Sequence, residues 1–523
     1  MNLKEWIFTT DHKRVGVLYL IGSMAAFIVA GIMAMLMRIE LSTLGPTITS
    51  NPSSYNVWLY AHGAVMILGF QIPALTGFFA NYCIPLMIGA KDVAFPRVNA
   101  LSVWLFYVGI ILALLTFFIP DPPDVMWTGY PPYSTITAGN TALYSFTVLI
   151  LGFASIIGGV NFLTTIAYMR APGLTWNKLN IFVWCTLGAF VLQLIFVPVL
   201  GTAVTLISMD KYLGTAFFDP TRGGDVLTYQ NLFWFYSHPA VYVIFLPFFG
   251  VLFEIVATFA KNRVFNYHAV VYGGIGGIIL LSGVVWVHHL YVSGMIDWIR
   301  IGQMVTTLMI SVPVGLMLIG LVGTLYKGSI TFETPMLYAL GVLFLFLIGG
   351  LTGIPLALPS LTLHLSETYY VVGHFHYVMA VAGTFSIFAG VYYWFPKITG
   401  RMYNEFWGKL GFWITFVGTN IVFWTMMDIG VKGMPRRYYD YSHFSQFEHA
   451  HQLMTLGAAI VGVGFAIALV NWIVGAMKGP PAGDNPWQSM SLEWTTVSPP
   501  PHGNWPSPPS VSAEWTPYAY DRR

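Results

Sequence analysis

The chain has 523 residues, of which 56% are hydrophobic and only 8% are charged. Soluble domains carry about 25% charged residues, so this composition excludes a soluble globular protein and indicates a polytopic membrane protein. The formal net charge is +2 and no basic cluster is present, which excludes a nucleic-acid-binding protein.

Long apolar runs, separated by polar or Gly/Pro-rich breaks, divide most of the chain. A membrane-spanning helix needs about 20 consecutive apolar residues, and lipid admits only helices or closed barrels. Because the runs are continuous rather than alternating, we predict an all-α membrane domain over residues 1–478 with about twelve spans. These are placed near residues 15–37, 56–87, 99–119, 141–169, 179–208, 229–260, 268–293, 302–326, 335–357, 369–395, 407–430 and 450–477.

The last segment, residues 479–523, is rich in proline, which breaks helices. We predict an extended tail on the cytoplasmic side. With twelve spans both termini face one side of the membrane, and that side carries 16 of the 23 Lys and Arg residues, which indicates the cytoplasm. Arg436 and Arg437 lie on the other side, where two adjacent guanidinium groups suit bidentate carboxylate recognition; a solvated loop pair is the alternative.

Thirteen histidines are unusual in so apolar a chain. His374 and His376 lie in one predicted span, where two positions correspond to about 200° of rotation, so their imidazoles leave opposite sides of the helix. Ionisable residues at membrane depth are costly and usually functional. One helix could therefore ligate two metal centres, although two histidines satisfied by neighbouring helices are the alternative.

Other histidines lie at membrane depth in three further spans. His62 is a candidate partner for His376, since two axial imidazoles make a six-coordinate haem that transfers electrons. His288 and His289 are about 100° apart on a helix, so they converge on one ion only near a helix end or with some distortion. With His238 they supply three imidazoles, which suit copper, zinc or iron.

The motif HPAVY starts at His238 and places Tyr242 four residues later. Positions i and i+4 share a helix face, so the imidazole and the phenol are predicted to be adjacent. Three nitrogen ligands with an open position facing a haem would suit a redox copper that binds a small gas molecule.

Longer motifs show which family the sequence resembles. They read TDHKR at 10–14, PLMIGAKDVAFPRVN at 85–99, FWFYSHPAVY at 233–242, WVHHLYVSGM at 286–295, GGLTGI at 349–354, TYYVVGHFHYV at 368–378 and GMPRRY at 433–438. Over residues 5–500 the chain resembles the catalytic subunit (subunit I) of the haem–copper oxygen reductases, that is, cytochrome c oxidase. Within the A-type enzymes it resembles the Tyr-Ser subclass. The resemblance implies reduction of O2 to water, coupled to proton uptake and pumping.

The resemblance implies two haems, expected to be haem A, and one copper. The implied ligands of the low-spin haem are His62 and His376. His374 is the implied ligand of the high-spin haem. The implied ligands of the copper are His238, His288 and His289. Tyr242 resembles the tyrosine that is covalently joined to the copper ligand and that gives an electron and a proton when the O–O bond breaks.

Further residues match the surroundings of the cofactors and the proton route. Those implied to contact the haems or flank the copper are Arg38, Trp127, Trp234, Arg436 and Arg437. Those implied to begin the proton-uptake route called the D-pathway are Asp92, Asn81 and Asn99. The family's usual HPEVY glutamate is Ala240 here, so the hydroxyl groups of Tyr236 and Ser237 are expected to relay the proton instead.

Two other departures concern the second proton route and a cation site. Val314 and Met317 replace the Thr and Lys of the K-pathway, so protons would reach the active site through Thr306 or Thr307, or by the D-pathway alone. The family's magnesium-binding His-Asp pair reads Ser-Glu, which leaves Glu367 as the candidate ligand of a hard cation such as magnesium or calcium.

The resemblance implies partners as well. It places the chain in the lipid of a bacterial cell inner membrane rather than a mitochondrial one. The implied partner subunits are a copper-bearing subunit II and a subunit III, and the complex could belong to a respiratory supercomplex. The quinol-binding quartet is replaced at Val29, Met33, Ser54 and Val57, so cytochrome c is the expected donor. A nitric oxide reductase of the same superfamily and a membrane transporter without redox cofactors are the alternatives.

Overall fold

The structure is a computed structural model that describes residues 3–520. Within that range all regular structure is helical apart from two isolated β-bridges, Thr368–Pro435 and Arg401–Pro481. Among residues 3–520, eleven helices are long and apolar enough to cross a membrane, and a shorter apolar helix lies between the sixth and the seventh of them. The prediction of an all-α, multi-pass membrane protein is confirmed.

The twelve elements, numbered in chain order, are α1 His12–Glu40, α2 Pro52–Met87, α3 Pro96–Leu115, α4 Thr141–Tyr168, α5 Ile181–Leu213, α6 Val226–Ala260, α7 Ala269–Ser282, α8 Asp297–Leu325, α9 Thr334–Ala357, α10 Tyr369–Thr399, α11 Glu405–Val431 and α12 Ser442–Lys478. Short helices and 3-10 turns lie between or beyond them at Leu3–Ile7, Tyr133–Ile136, Trp176–Lys178, Pro220–Arg222, Trp286–Leu290, Pro359–Leu365 and Leu492–Trp494.

The seventh span differs from the prediction of one helix over residues 268–293. Helix α7 ends at Ser282, and the chain continues into the 3-10 turn Trp286–Leu290. Gly283 follows the last helical residue, and Val284 and Val285 come next. Glycine and β-branched residues have low helix propensity, so the helix ends there although the sequence stays apolar.

Helices α2, α6 and α10 form the centre of the protein. In their most apolar stretches 78%, 94% and 83% of the residues are buried, whereas the other long helices reach at most 50%. These three helices carry His62, His238, His374 and His376. Four of the six candidate metal ligands therefore lie in the best-packed part of the protein, where side chains are held in fixed positions.

Two of the central helices contain π-helical segments. Those in α2 are Val65–Gln71 and Pro73–Phe79, and the one in α10 is His376–Val381. Such segments are rare in proteins, and those that occur often lie at functional sites. The amide of Gln71 donates hydrogen bonds to the carbonyl groups of Met379 (3.2 Å) and Ala380 (2.7 Å), and so joins the irregular parts of both helices.

The described part of the predicted tail, residues 479–520, packs back on the chain's own helices. Asn504 is fully buried. Its side chain donates to the carbonyl of Ala90 (2.8 Å) and accepts from the ammonium of Lys13 (2.8 Å). Residues 521–523 lie outside the described residues, and the division of the chain at 478/479 stays a prediction.

Candidate redox metal centre

Three imidazoles converge between helix α6 and the turn after α7. The ligating atoms of His238, His288 and His289 all lie within 4.8 Å of one another. Because α7 has already ended at Ser282, the backbone brings both neighbouring histidines to the same side, with ring centroids 4.3 Å apart. Nδ1 of His238 lies 3.1 Å from Nε2 of His289, so these two nitrogens face one point.

The surroundings of this cluster fix the rings. Trp234, one turn before His238 on α6, stacks on His289 with centroids 3.7 Å apart and planes 7° apart. The hydroxyl of Thr307 on α8 lies 3.2 Å from Nδ1 of His288. Partners of this kind orient imidazoles for a metal. The donor set fits copper, for which imidazole is a suitable ligand.

Tyr242 lies one turn after His238, as the HPAVY spacing predicts. Its hydroxyl group lies 3.0 Å from Nε2 of His238, within hydrogen-bonding distance, and the ring is buried. A phenolic proton is therefore held directly beside the three imidazoles.

His374 projects from α10 towards α9. Its Nδ1 donates to the carbonyl of Gly349 (3.0 Å) and lies 3.2 Å from the hydroxyl of Thr352. This leaves Nε2 as the free ligating atom. A Cβ atom at Gly353 would lie only 2.9 Å from Cε1 of His374, so glycine at this position makes room for the ring.

His376 projects to another side of the same helix and faces His62. Their rings are parallel within 6°, with centroids 6.3 Å apart. In an axial pair, each ligating nitrogen lies about 2 Å from the metal and each ring centre about 1 Å beyond its nitrogen, so the two ring centres are about 6 Å apart. Nδ1 of His62 donates to Ala30 (3.0 Å) and Nδ1 of His376 to Val372 (2.8 Å), so both Nε2 atoms remain available. The pair fits the axial ligation of a haem.

Arg38, near the end of α1, is buried, and one of its hydrogen-bond donors has no acceptor in the described part of the chain. Its Nη2 donates to the carbonyl of His451 (3.0 Å) and lies 3.2 Å from Nδ1 of the same residue. Its Nε has no hydrogen-bond partner among the described residues. A buried unpaired donor costs about 1–3 kcal/mol, and an acceptor group on a bound cofactor would satisfy it.

The loop before α12 holds Arg436 and Arg437 beside the start of α10. The amide of Arg436 donates to the carbonyl of Glu367 (2.9 Å), next to the Thr368–Pro435 bridge. Nε and Nη2 of Arg436 bind the Glu367 carboxylate at 3.1 and 2.5 Å, and Arg437 lies 3.5 Å from it. The bidentate geometry expected of this pair is thus present with a carboxylate of the same chain.

Glu367 is occupied by those two arginines, which together lower its pKa against the opposing effect of partial desolvation. It belongs to no group of three or more metal-ligating side chains among the described residues. Its predicted role for magnesium or calcium stays a prediction.

The two predicted tryptophans lie next to each other above the imidazoles. Trp127 and Trp234 are 5.8 Å apart and nearly perpendicular. The Trp127 side chain covers Gly63, where a Cβ atom would lie 2.8 Å from it. The indole N–H of Trp234 donates to the hydroxyl of Tyr130. Gly63 follows His62, so the tryptophan pair lies between the two histidine sites.

The predicted D-pathway residues are only partly connected. Asn99 donates to Asn81 at 2.6 Å, and Asn81 donates to the carbonyl of Gly77 at 2.7 Å. Asp92 accepts from the amide of Val93 at 2.7 Å and has no direct hydrogen bond to either asparagine. Burial raises the pKa of Asp92 to about 6, so the carboxyl group exchanges protons near neutral pH.

Tyr236 and Ser237 are both buried on α6 beside Ala240. Tyr236 and Ala240 line an internal cavity of about 20 Å³ between α2, α4, α5 and α6. The proposed relay through these two hydroxyl groups stays a prediction.

The residues at the replaced K-pathway positions are apolar, and they pack against apolar surroundings. Met317 is fully buried, and its side chain packs against Gly274 of α7. Thr306 donates instead to the carbonyl of Val284 (3.1 Å), and Thr307 contacts His288. The two threonine hydroxyls therefore lie beside the turn that carries the imidazoles.

Sequence reasoning missed several residues that build the site. They are Gln71, Tyr130, Gly353 and His451; Thr307 was expected only as a proton-route residue, and its contact with His288 was not predicted. Gln71 and His451 are polar residues inside predicted apolar spans, so they carried a signal. The others depend on contacts between helices, which the sequence pattern does not give.

Comparison with known proteins agrees with this geometry. Residues 14–491 match the model of the family described as "Cytochrome C and Quinol oxidase polypeptide I". Cytochrome c oxidase subunit 1 of Thermostichus vulcanus is 42% identical over 517 residues, covering 99% of this chain and 93% of the relative. The subunit 1 of Synechocystis sp. is 42% identical over 494 residues, covering 94% and 89%.

A solved structure of a heme-copper terminal oxidase dimer matches with a TM-score of 0.78 at 19% identity, covering 90% of this chain and 84% of that one. That likeness supports the fold. The family match and the long, well-covered alignments establish the family resemblance that the motifs predicted. The chain belongs to the cytochrome c and quinol oxidase polypeptide I family.

Proposed function

We propose that the chain is the catalytic subunit of a terminal oxidase, which reduces O2 to water with electrons from cytochrome c. The observation that carries this proposal is the convergence of three imidazoles beside a phenol that is hydrogen-bonded to one of them. The relatives named cytochrome c oxidase subunit 1 favour this function over a nitric oxide reductase or a transporter.

Membership of the family implies haem and copper. We assign one copper to the cluster of His238, His288 and His289, and two haems, of type A, to His374 and to the pair of His62 and His376. When bound, these groups transfer electrons and bind and reduce oxygen. The surrounding residues belong to the Tyr-Ser subclass in this assignment.

The polar residues around the sites would bind and orient the haems. Arg38 would offer its unpaired Nε to a peripheral group of the low-spin haem. Arg436 and Arg437, held in place by Glu367, would offer cationic groups to carboxylates of the cofactors. Trp127 and Trp234, which contact each other and His289, would help to keep water from the imidazoles.

Protons for water formation come from the side of Asp92 in this proposal. The Asn81–Asn99 pair would orient water beyond it, and the hydroxyls of Tyr236 and Ser237 would pass protons on. Tyr242 holds a proton at its hydroxyl, one hydrogen bond from His238. Moving a charge against the membrane potential costs about 2.3 kcal/mol per 100 mV, so proton pumping would store part of the reaction energy.

The chain would work in a multi-subunit complex. A subunit I of this family implies partner subunits, and we propose a copper-bearing subunit II, a subunit III and cytochrome c as the donor. The proposed location is the bacterial cell inner membrane with both termini in the cytoplasm.

The test is gas consumption by the purified complex. We expect O2 consumption with reduced cytochrome c and none with a quinol, and no preference for nitric oxide. His289→Asn should abolish O2 consumption, whereas His443→Asn, which changes an exposed histidine, should not. Faster consumption of nitric oxide than of O2, or full activity of His289→Asn, would contradict the proposal.

A further inference from the structure

Gln193 is a polar side chain in an otherwise apolar part of α5. It is 2% exposed, and its Oε1 atom has no hydrogen-bond partner among the described residues. That carbonyl oxygen loses its hydrogen bonds to water without replacement. Its burial therefore needs an explanation other than packing.

The amide borders the internal cavity of about 20 Å³ introduced above. Most of the lining is aliphatic or aromatic, and its polar side chains are those of Ser155, Gln193 and Tyr236. A cavity of about 10–15 Å³ is large enough for one water molecule, provided that two or more polar groups can bind it. The volume and the three polar groups fit one bound water.

A second cavity, of about 30 Å³, continues from the first. The two share Leu68, Ile72, Leu151 and Ser155 in their walls. The second is lined on its far side by Tyr19, Asn81 and Ser102. A row of internal spaces thus leads from the Asn81–Asn99 pair, past Ser155, to Tyr236.

Ser155 lies at the junction of the two cavities, where its hydroxyl oxygen can accept a hydrogen bond. Its hydroxyl donates to the carbonyl of Leu151 at 3.0 Å, so its lone pairs can accept from a water in the second cavity. Gln193 can accept one hydrogen of the water in the first cavity with its unpaired Oε1. The other hydrogen of that water would then point towards Tyr236, and its lone pairs would face the second cavity, from which the proton arrives.

We propose that Gln193 is a positioning residue of the proton route, which holds a water molecule between Ser155 and Tyr236. The inference rests on the proposed function. The amide does not change its protonation state; a proton enters the water from the Ser155 side, another leaves it towards Tyr236, and the water ends as it began. Gln193 takes part only by fixing the orientation of that water.

The test compares three variants in the purified complex reconstituted into vesicles. Gln193→Leu removes the polar atoms at nearly the same volume, Gln193→Glu keeps an acceptor and adds an ionisable group, and Leu192→Met changes another wall of the same cavity without adding hydrogen-bonding groups comparable to the amide. We expect a loss of about tenfold or more in O2 turnover for Gln193→Leu, which corresponds to one lost orienting interaction, and little loss for Leu192→Met.

The pH profile separates positioning from packing. Gln193→Glu should keep at least half of the turnover near neutral pH and should show an additional ionisation in its profile, because a carboxyl group on the route exchanges the transferred proton. Unchanged turnover in Gln193→Leu, equal losses in the Leu and Glu variants, or a Glu variant with the parent's pH profile would overturn the inference. Should Gln193→Leu fail to assemble, the pH profile of Gln193→Glu decides alone. Lack of O2 reduction by the parent complex would instead reject the proposed function.

Discussion

Gly353 is the residue against which the imidazole of His374 packs. A Cβ atom added there would lie 2.9 Å from Cε1 and 3.6 Å from Nε2 of that ring. Carbon atoms make favourable contacts at about 3.5–4.0 Å, so Gly353→Ala requires the ring to move by roughly 0.6–1 Å. That movement strains the 3.0 Å hydrogen bond from Nδ1 of His374 to Gly349.

Gly350 is a matched control on the same helix. A Cβ atom there would meet no other atom within 4 Å. Replacing glycine by alanine inside a helix is favourable by up to about 1 kcal/mol, and both variants gain this. Overpacking costs about 1–3 kcal/mol, so Gly353→Ala should be less stable than Gly350→Ala by about that amount.

Thermal unfolding and the visible spectrum of the purified complex measure the two effects. We expect a lower Tm and an altered high-spin haem band for Gly353→Ala, and a Tm equal to or above that of the parent with an unchanged spectrum for Gly350→Ala. The same Tm and the same spectrum in both variants would refute the placement of His374 against α9.

Three further predictions concern Asp92, the C-terminal tail and the arginine loop. Burial raises the pKa of Asp92 from 3.8 to about 6, so the folded chain binds a proton that the unfolded chain has released; the stability contributed by this carboxyl group therefore falls as pH rises from about 4 to about 6. An infrared titration should give a carboxyl band with a midpoint near 6 that is absent in Asp92→Asn, whereas a midpoint near 4 would contradict the burial. Asn504→Ala removes the side-chain hydrogen bonds of Asn504 to Lys13 and Ala90, which are two of the bonds that hold the tail, and should cost about 1–3 kcal/mol, seen as faster proteolysis of the tail than in His502→Ala, which changes an exposed neighbour; equal rates would speak against this anchor. Glu367→Gln should change the free energy of unfolding by less than about 1 kcal/mol, because the Glu367 side chain is 55% exposed and exposed ion pairs contribute little; a larger loss in chemical unfolding would show that the pair is shielded from water.

The sequence was informative wherever an apolar run coincides with a helix. Eleven long helices lie where such runs predict them, because helical burial of backbone polar groups is enforced by lipid. The end of α7 was not predicted, since the residues after Ser282 remain apolar and hydropathy does not mark where a helix stops. That early end is what allows His288 and His289 to face the same point.

In the site, too, contacts within one helix could be predicted from the sequence, whereas contacts between helices could not. The spacing of His238 and Tyr242 on one helix face predicted their contact, which the structure shows at 3.0 Å. The contact of Thr307 with His288 and the fit of His374 against Gly353 join residues of different helices, so no local pattern encodes them. The cavity beside Gln193 likewise arises from the packing of four helices and could not be read from any one of them.

The central claim is that imidazoles on the inner helices and on the turn after α7 hold haem iron and copper. Its most direct test is the metal and haem content of the purified complex, determined by elemental analysis and a pyridine haem assay, with any copper of a partner subunit subtracted by comparison with His289→Asn. We predict two haems per chain and one copper that is lost in His289→Asn but kept in His443→Asn. A copper content that is equal in both variants would contradict the account.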